Sequence, residues 1–423
     1  MKIAIMASGS RGDVQPYVAL SKGLQNAGHD VRLVTAENFK GLAQSAGVPI
    51  RSTRGDVQAV AESPEMRALI EKGDFIGMTQ LQAKALKAAA VPLAEDALAA
   101  AQGIDLILTG LGGLFNGIAI AEKLNIPLMQ AYLVPMTPTR DFPSVLLPAA
   151  GLPLPPPLAR ASHYLTQQAI WQGVRAADKI AREQVLGMPP APFFGPLGNP
   201  RLRQMSVLYG FSPSVIARPS DWGSRIHVTG YWFLDEARDW TPPSALLEFL
   251  ERGPAPVYIG FGSMGSRKPE ETTDIVLKAL TQTKQRAVLS SGWGGLRANT
   301  LPEHVFMLGS IPHAWLFPRM AAVVHHGGAG TTAAGLRASV PSIIVPFFGD
   351  QPFWGQRVAA LGVGPHPIPR KNLTAEALAH AIQIAVSDAQ MQRKAAELGE
   401  KIRAEDGIGA AVKQIEMAGV PVK

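Results

Sequence analysis

The sequence predicts two α/β units of parallel sheet, set in tandem and facing each other across a cleft. Three observations carry this. Short apolar runs alternate with helix-sized intervals through the first half of the chain. The second half repeats the plan, and in both halves a glycine-rich turn follows the first strand. At 423 residues the chain also exceeds what one ordinary hydrophobic core accommodates.

In the first half the strands are expected at Ile3 to Ala7, Val31 to Thr35, Leu106 to Leu108, Pro127 to Tyr132 and Val207 to Phe211, with a helix from Val14 to Ala27. In the second half they are expected at Pro256 to Gly260, Arg286 to Ser290, Val305 to Leu308, Ala321 to Val324 and Ser342 to Val345. Such alternation predicts parallel sheets with crossover helices, of the Rossmann type. The domains are expected at 1–230 and 244–405, joined by a charged, proline-bearing linker over 231–243. The tail at 406–423 is expected to be a helix that packs back on the first domain. Two stretches break the alternation. Residues 62–102 are alanine-rich and helical, with interruptions at Gly73 and Pro92, and 135–200 is dense in proline. The latter carries Tyr164, Trp171, Val174, Ala177 and Ile180 at helical spacing, which predicts a core stripe over a ligand wall. Both insertions lie where an apolar pocket could be built without disturbing the sheet.

Composition excludes several classes. Apolar content of 47% and charged content of 17% describe a packed globular chain, not a disordered one. There is no cysteine, so disulfides and thiolate metal sites are ruled out. The run Met1 to Met6 is too short for a signal peptide, and no stretch approaches a membrane-spanning length. A cytoplasmic chain is expected. The net charge of +7 favours anionic partners. Without a basic stripe interleaved with aromatics, nucleic acid is not expected, whereas transient contact with a membrane surface is.

The most informative stretch is His325-His326-Gly327-Gly328-Ala329-Gly330-Thr331-Thr332, with Asp350-Gln351 downstream. A strand leads into it and a helix beginning near Thr331 leaves it. Glycines let the backbone approach a ligand, and a helix start aims free N–H groups and a positive dipole end at the same point. That pattern predicts a diphosphate cradle with His326 as a donor, and Asp350-Gln351 suit the hydroxyl-rich part of the same ligand. Asp350 as a helix cap is the alternative. The double histidine lacks the acidic and thiol neighbours of a metal site, and no Asp-x-Asp pair stands ready to hold a divalent ion.

The first glycine turn is Gly9-Ser10-Arg11-Gly12-Asp13. Two roles stand open for Asp13: capping the following helix, or accepting a proton from a substrate hydroxyl. Glu37, past the second strand, could hold a ribose. In the second half, Ser263 could donate to a phosphate oxygen, and Trp293 could stack on a base; an ordinary turn and a core tryptophan are the bland alternatives.

Together these residues resemble the nucleotide-sugar glycosyltransferases of the GT-B fold, over essentially the whole chain. The plant signature box aligns without a gap from Ser310 to Gln356. His326 falls on its phosphate-binding histidine, Gly328 on its glycine, Thr331 on its serine, Pro341 and Pro346 on its prolines, and Asp350-Gln351 on its sugar-binding pair. The opening Gly9 to Pro16 and the segment Phe347 to Phe353 are similar to sterol glucosyltransferases. The antibiotic glycosyltransferases of actinomycetes share the first motif, and the resemblance makes Asp13 the catalytic base. Ser310, Ala334 and His313 depart from the plant pattern in the base- and ribose-binding positions.

The resemblance implies metal-free, inverting transfer of a hexose from a UDP-sugar co-substrate, glucose in the first place. The receiving group is a hydroxyl of an apolar acceptor bound by the first domain. Ser10, Ser263, Trp293, Ile311, His313, His326, Gly328, Ala329, Gly330, Thr331, Asp350 and Gln351 form the expected donor site. An epimerase, an NAD(P)-dependent oxidoreductase and a non-catalytic lipid or nucleotide carrier on the same fold are the competing expectations.

Overall fold

The computed structural model describes residues 1–55, 60, 63–147, 154–234, 241–262, 269–291, 296, 301–309 and 311–419. The strands are β1 Lys2–Met6, β2 Asp30–Ala36, β3 Ile50–Thr53, β4 Leu106–Thr109, β5 Leu128–Tyr132, β6 Val207–Tyr209 and β7 Ile226–Val228. They form one sheet in the order β3-β2-β1-β4-β5-β6-β7. Then come β8 Val257–Gly260, β9 Ala287–Ser290, β10 Val305–Leu308, β11 Ala322–His325 and β12 Ser342–Ile344, in a second sheet ordered β10-β9-β8-β11-β12. Every pairing in both sheets is parallel.

Helices of eight or more residues are numbered here: α1 Arg11–Asn26, α2 Pro64–Lys72, α3 Phe75–Ala100, α4 Leu114–Leu124, α5 Pro156–Ile180, α6 Ser244–Glu251, α7 Pro269–Thr283, α8 Ala329–Arg337, α9 Gln351–Leu361, α10 Ala375–Ser387, α11 Ala389–Ala404 and α12 Gly407–Gly419. Helices cover both faces of a parallel sheet, so its central strands are apolar throughout. All residues of β4, β8, β11 and β12 are buried. The two edge strands of the first sheet differ, whereas β12, an edge of the second, is buried. β3 (Ile50-Arg51-Ser52-Thr53) and β7 (Ile226-His227-Val228) have no fully buried residue, and neither was expected from the sequence because neither reads as an apolar run.

Other expectations change in the structure. α1 starts at Arg11 instead of Val14, and α8 at Ala329 instead of Thr331, each inside its glycine motif. Gly73 does end α2, with φ of +65°. Pro92 interrupts nothing and sits inside a continuous α3. The α5 stripe is divided: Trp171 is buried against Phe115, whereas Tyr164 is exposed.

In open sheets of this kind a ligand binds beyond the carboxyl ends of the strands, where the strand order reverses. The reversal lies between β1 and β4 in the first sheet and between β8 and β11 in the second. Asp13 follows β1, and His326 follows β11. The two points face each other: a Cβ placed on Gly330 of α8 would lie 3.7 Å from the Gly12 Cα of α1.

Two further contacts join the halves. The last helix, α12, returns to the first domain, where Ala411, Val412 and Ile415 are buried in the same cluster as Leu20 and Leu24 of α1. Gly23 leaves room for Ile408, whose Cγ2 a Cβ there would meet at 2.1 Å. Just before α12, Glu405 accepts hydrogen bonds from Ser212 Oγ (2.6 Å) and Ser214 Oγ (3.2 Å) of the first domain. Replacing Ile415, fully buried here, by alanine is expected to lower stability by about 2–5 kcal/mol. Urea denaturation of the full chain measures it.

Candidate active site

Ser10 occupies the N-cap of α1, and Asp13 stands three residues on, inside the helix. The Asp13 carboxylate accepts from the Ser10 backbone N–H (2.7 Å) and from Ser10 Oγ (2.8 Å), and both bonds fall on Oδ2. Asp13 is therefore not the cap residue itself; it is the carboxylate half of a capping box. Its side chain reaches solvent in the cleft yet is surrounded closely by protein. Desolvation in that setting raises its pKa, against the lowering effect of the Ser10 bonds. Beneath it lies Tyr17, buried on α1, with its hydroxyl donating to the Ala131 carbonyl of β5. Burial first, and the Asp13 charge second, raise the Tyr17 pKa, so the phenol stays protonated.

Across the cleft, His326 is held between two glycines. A Cβ on Gly262 would meet its Cε1 at 2.9 Å, and one on Gly328 its Nε2 at 2.6 Å. Gly262 also has φ of +62°, a second reason for glycine at that turn. Desolvation lowers the His326 pKa to about 4, so the ring is neutral at physiological pH. Its Nδ1 is buried without a hydrogen-bond partner among the described residues, as is Thr332 Oγ1 in the first turns of α8. Buried polar atoms left unpaired are costly and call for an explanation. His325 points the other way, into the core, where its Nδ1 accepts from the Gly327 N–H at 3.1 Å.

Gly328 is the N-cap of α8, Ala329 and Gly330 form its first residues, and Thr331 follows on the half-exposed side. His313 stacks on Phe317 at 4.3 Å, and its pKa falls to about 4 through burial first and the Arg11 charge of the opposite domain second. Ile311 packs on the apolar cluster around Phe317 and Val323. Ser263, Trp293 and Ser310 lie outside the described residues.

Asp350 holds the N-cap position of α9 but makes no side-chain cap; its Oδ2 accepts instead from the buried Trp354 indole at 2.8 Å. Its pKa rises to about 6, through burial first and with the Asp13 charge contributing, which puts the two carboxylates in one electrostatic neighbourhood. Gln351 is buried, and its Oε1 accepts from the N–H groups of Phe347 (2.7 Å) and Phe348 (3.2 Å). Its carbonyl thus shapes the loop before α9. Glu37, read as a candidate ribose contact, bonds Lys40 at 3.0 Å and Ser52 of the edge strand. Sequence reasoning missed Trp354 and Tyr17. Both carry ordinary helical core spacing, and only the fold turns their polar ends toward Asp350 and Ala131.

The family model described as the glycosyltransferase family 28 N-terminal domain matches residues 3–143, and that described as the erythromycin biosynthesis protein CIII-like C-terminal domain matches residues 275–416. The sterol 3-beta-glucosyltransferase UGT80B1 of Arabidopsis thaliana is 38% identical over 426 residues, 97% of this chain and 67% of its own. The chain belongs to this glycosyltransferase family. Another such enzyme, UGT80A2 of Arabidopsis thaliana, is 39% identical over 98% of this chain and 65% of its own length. This glycosyltransferase-family chain thus spans about two thirds of those relatives. Among solved structures, the calicheamicin glycosyltransferase CalG4 superimposes with a TM-score of 0.70 at 18% identity, covering 100% of this chain and 98% of its own. It shares the two-sheet GT-B fold, and both resemblances read from the motifs are borne out.

Between about pH 6.5 and 4 the unfolded chain binds protons that the folded His313 and His326 refuse, so these two residues make stability fall as pH falls through that window. Asp350, raised to about 6, acts in the opposite direction between about pH 6 and 3.8. Histidine-resolved NMR is expected to show both rings neutral at pH 6 and titrating near 4.

Proposed function

We propose that this protein transfers a hexose, glucose in the first place, from a UDP-sugar to the hydroxyl of an apolar acceptor of the sterol or lipid-alcohol type, with inversion at the anomeric carbon. One observation carries the reading: the first turns of α1 and α8 meet at Gly12 and Gly330, with Asp13 and Asp350 beside them and a neutral His326 between two glycines. Two positive helix ends favour an anion, and the flanking carboxylates favour hydroxyls.

The chemistry follows from that arrangement. The acceptor oxygen forms a bond to the anomeric carbon as the bond from that carbon to the β-phosphate oxygen breaks, and the electron pair leaves with UDP. Asp13 takes the acceptor proton. With Ser10 bound to Oδ2, Oδ1 is the oxygen assigned to this role. A carboxylate cannot ionise an alcohol in advance, so the proton moves as the nucleophile attacks. Its pKa, raised by desolvation, makes it a stronger base than a free aspartate side chain.

The diphosphate gains charge on leaving, and the α8 N-terminus, His326 and Thr331 are assigned to receive it. A helix end contributes up to about 2 kcal/mol in a partly buried geometry. Several preorganised donors supply more, which is why a metal is not required by this reading. Among the described residues no cluster of three His, Cys, Asp or Glu side chains stands ready to hold one. Asp350, aimed by Trp354, takes sugar hydroxyls, and Gln351 shapes the loop that places it.

The acceptor belongs on the first-domain side. There Phe142 meets Phe353 of α9, ring centroids 5.8 Å apart, and closes an apolar wall next to Asp350. An acceptor of this kind comes from a bilayer, so transient contact with a membrane surface is part of the reading.

Asp13→Asn is expected to reduce transfer by about 10²–10⁴-fold while UDP affinity, measured by calorimetry, stays within about twofold. Product is followed by mass spectrometry with EDTA present. Unchanged turnover would remove Asp13 as the base; a requirement for added metal would remove the metal-free leaving-group site.

A further inference from the structure

We propose that the outer face of α5 and the adjoining Phe193–Phe194 turn form a docking surface for an anionic lipid bilayer. The inference rests on the proposed acceptor class for its purpose, and on the structure for its location.

An ordinary surface helix buries its apolar stripe and wets its polar one; α5 buries Ala159 and Trp171 in that way but departs from the pattern in its first half. Its buried residues include Ser162, His163, Thr166 and Asp178, each tied by a hydrogen bond. Ser162 Oγ accepts from the Ser144 N–H, and the His163 ring bonds the Phe142 carbonyl. The opposite face presents Leu158 at 57% exposure and Leu165 at 68%, two turns apart, with Tyr164 beside them at 49%.

The neighbouring turn extends that face. Gln168 Nε2 donates to the Phe194 carbonyl at 2.7 Å, while Trp171 Nε1 and Gln172 Nε2 donate to the Phe193 carbonyl at 2.8 and 3.0 Å. Three bonds thus hold the backbone against α5 and leave the rings outward, Phe193 at 56% and Phe194 at 74% exposure. Exposed large apolar side chains are ordinary singly; a strapped-down row of them marks an interaction site. Among the described residues no helix is long and apolar enough to cross a membrane, and a one-sided helix suits lying in the interface.

Charge chooses the occupant. From Leu154 to Ala177 the chain carries Arg160 and Arg175 and no acidic residue; Asp178 beyond it is paired with Arg182, and Asp221 of a neighbouring loop faces Arg160. The Arg175 guanidinium lies 4.6 Å from the Phe193 ring centroid, a cation at the level of the apolar side chains. That combination, apolar side chains among cations, matches an anionic leaflet.

The test is flotation of the full chain with vesicles of phosphatidylcholine containing about one third phosphatidylglycerol, against vesicles of phosphatidylcholine alone. The parent is expected to float with the anionic vesicles and to be released by salt. The triple variant Leu158→Glu, Leu165→Glu, Phe194→Glu is expected to lose about tenfold or more of the bound fraction. A second variant, Arg160→Gln with Arg175→Gln, leaves the apolar face intact and is expected to lose the preference for anionic vesicles. Both should keep the parent's melting temperature and its turnover of a water-soluble acceptor.

A parent that stays in solution, or variants that float as well as it does, would overturn the proposal. So would a parent that light scattering finds dimeric and the triple variant monomeric, since the face would then belong to a second copy. Flotation needs neither donor nor acceptor: its loss with transfer intact sinks the docking surface alone, and transfer lost with flotation intact sinks the proposed function alone.

Discussion

Two helices, one from each sheet, aim their positive ends at the same small space. α1 and α8 approach through Gly12 and Gly330, and a Cβ at Gly330 would already be in van der Waals contact with the other helix. Converging helix ends repel one another unless negative charge lies nearby. The protein supplies part of that charge itself with Asp13 and Asp350, and both carboxyl pKa values are raised by the burial this requires. The two helix ends are the physical basis of the proposed diphosphate site.

The rest of the structure serves that approach. Sheet order sets the two crossover points opposite each other, and α12 carries the end of the chain back to α1. Glu405 joins the halves near the same joint through Ser212 and Ser214, and Arg337 of α8 lies over the Phe233 ring at 4.4 Å. Asp350, proposed to take sugar hydroxyls, is positioned by its own neighbours. Trp354 holds one Asp350 oxygen, and Gln351 holds the loop in front of it. Such supporting bonds keep a functional side chain in one geometry at little entropic cost when the ligand arrives.

The first domain bears the specialised surfaces. α5 and the proline-dense chain around it do not extend the sheet; they build an apolar wall toward α9 at Phe142 and an apolar outer face at Leu158 and Leu165. Polar groups on the buried side of a helix, with leucines left on the wet side, are costly to maintain in water. The persistence of α5 is accounted for by the Arg182–Asp178 and Arg182–Glu122 ion pairs, both at 3.0 Å, and the Ser162 and His163 bonds that satisfy the buried polar atoms.

Sequence alone determined the two parallel sheets, because strands buried on both faces must be largely apolar, as β1, β4, β8 and β11 are apart from Lys2, Thr109 and His325 at their ends. It also determined the glycine turn at His326 and the motif around Asp13, since tight turns before helices leave a local signature. The edge strands β3 and β7 escaped because a half-wet strand of Arg51-Ser52-Thr53 or a single His227 between apolar neighbours has no such pattern. Only the tertiary structure decided what the side chains do. It turned Ser10 toward Asp13, gave Asp350 to Trp354 instead of a helix cap, drew Glu37 away to Ser52, and left Tyr164 in solvent while burying Trp171. The first two are pairs three and four residues apart, chosen by the geometry of their helix starts, and the others depend on a partner fifteen residues away and on which face of a helix meets the core. Local spacing records neither.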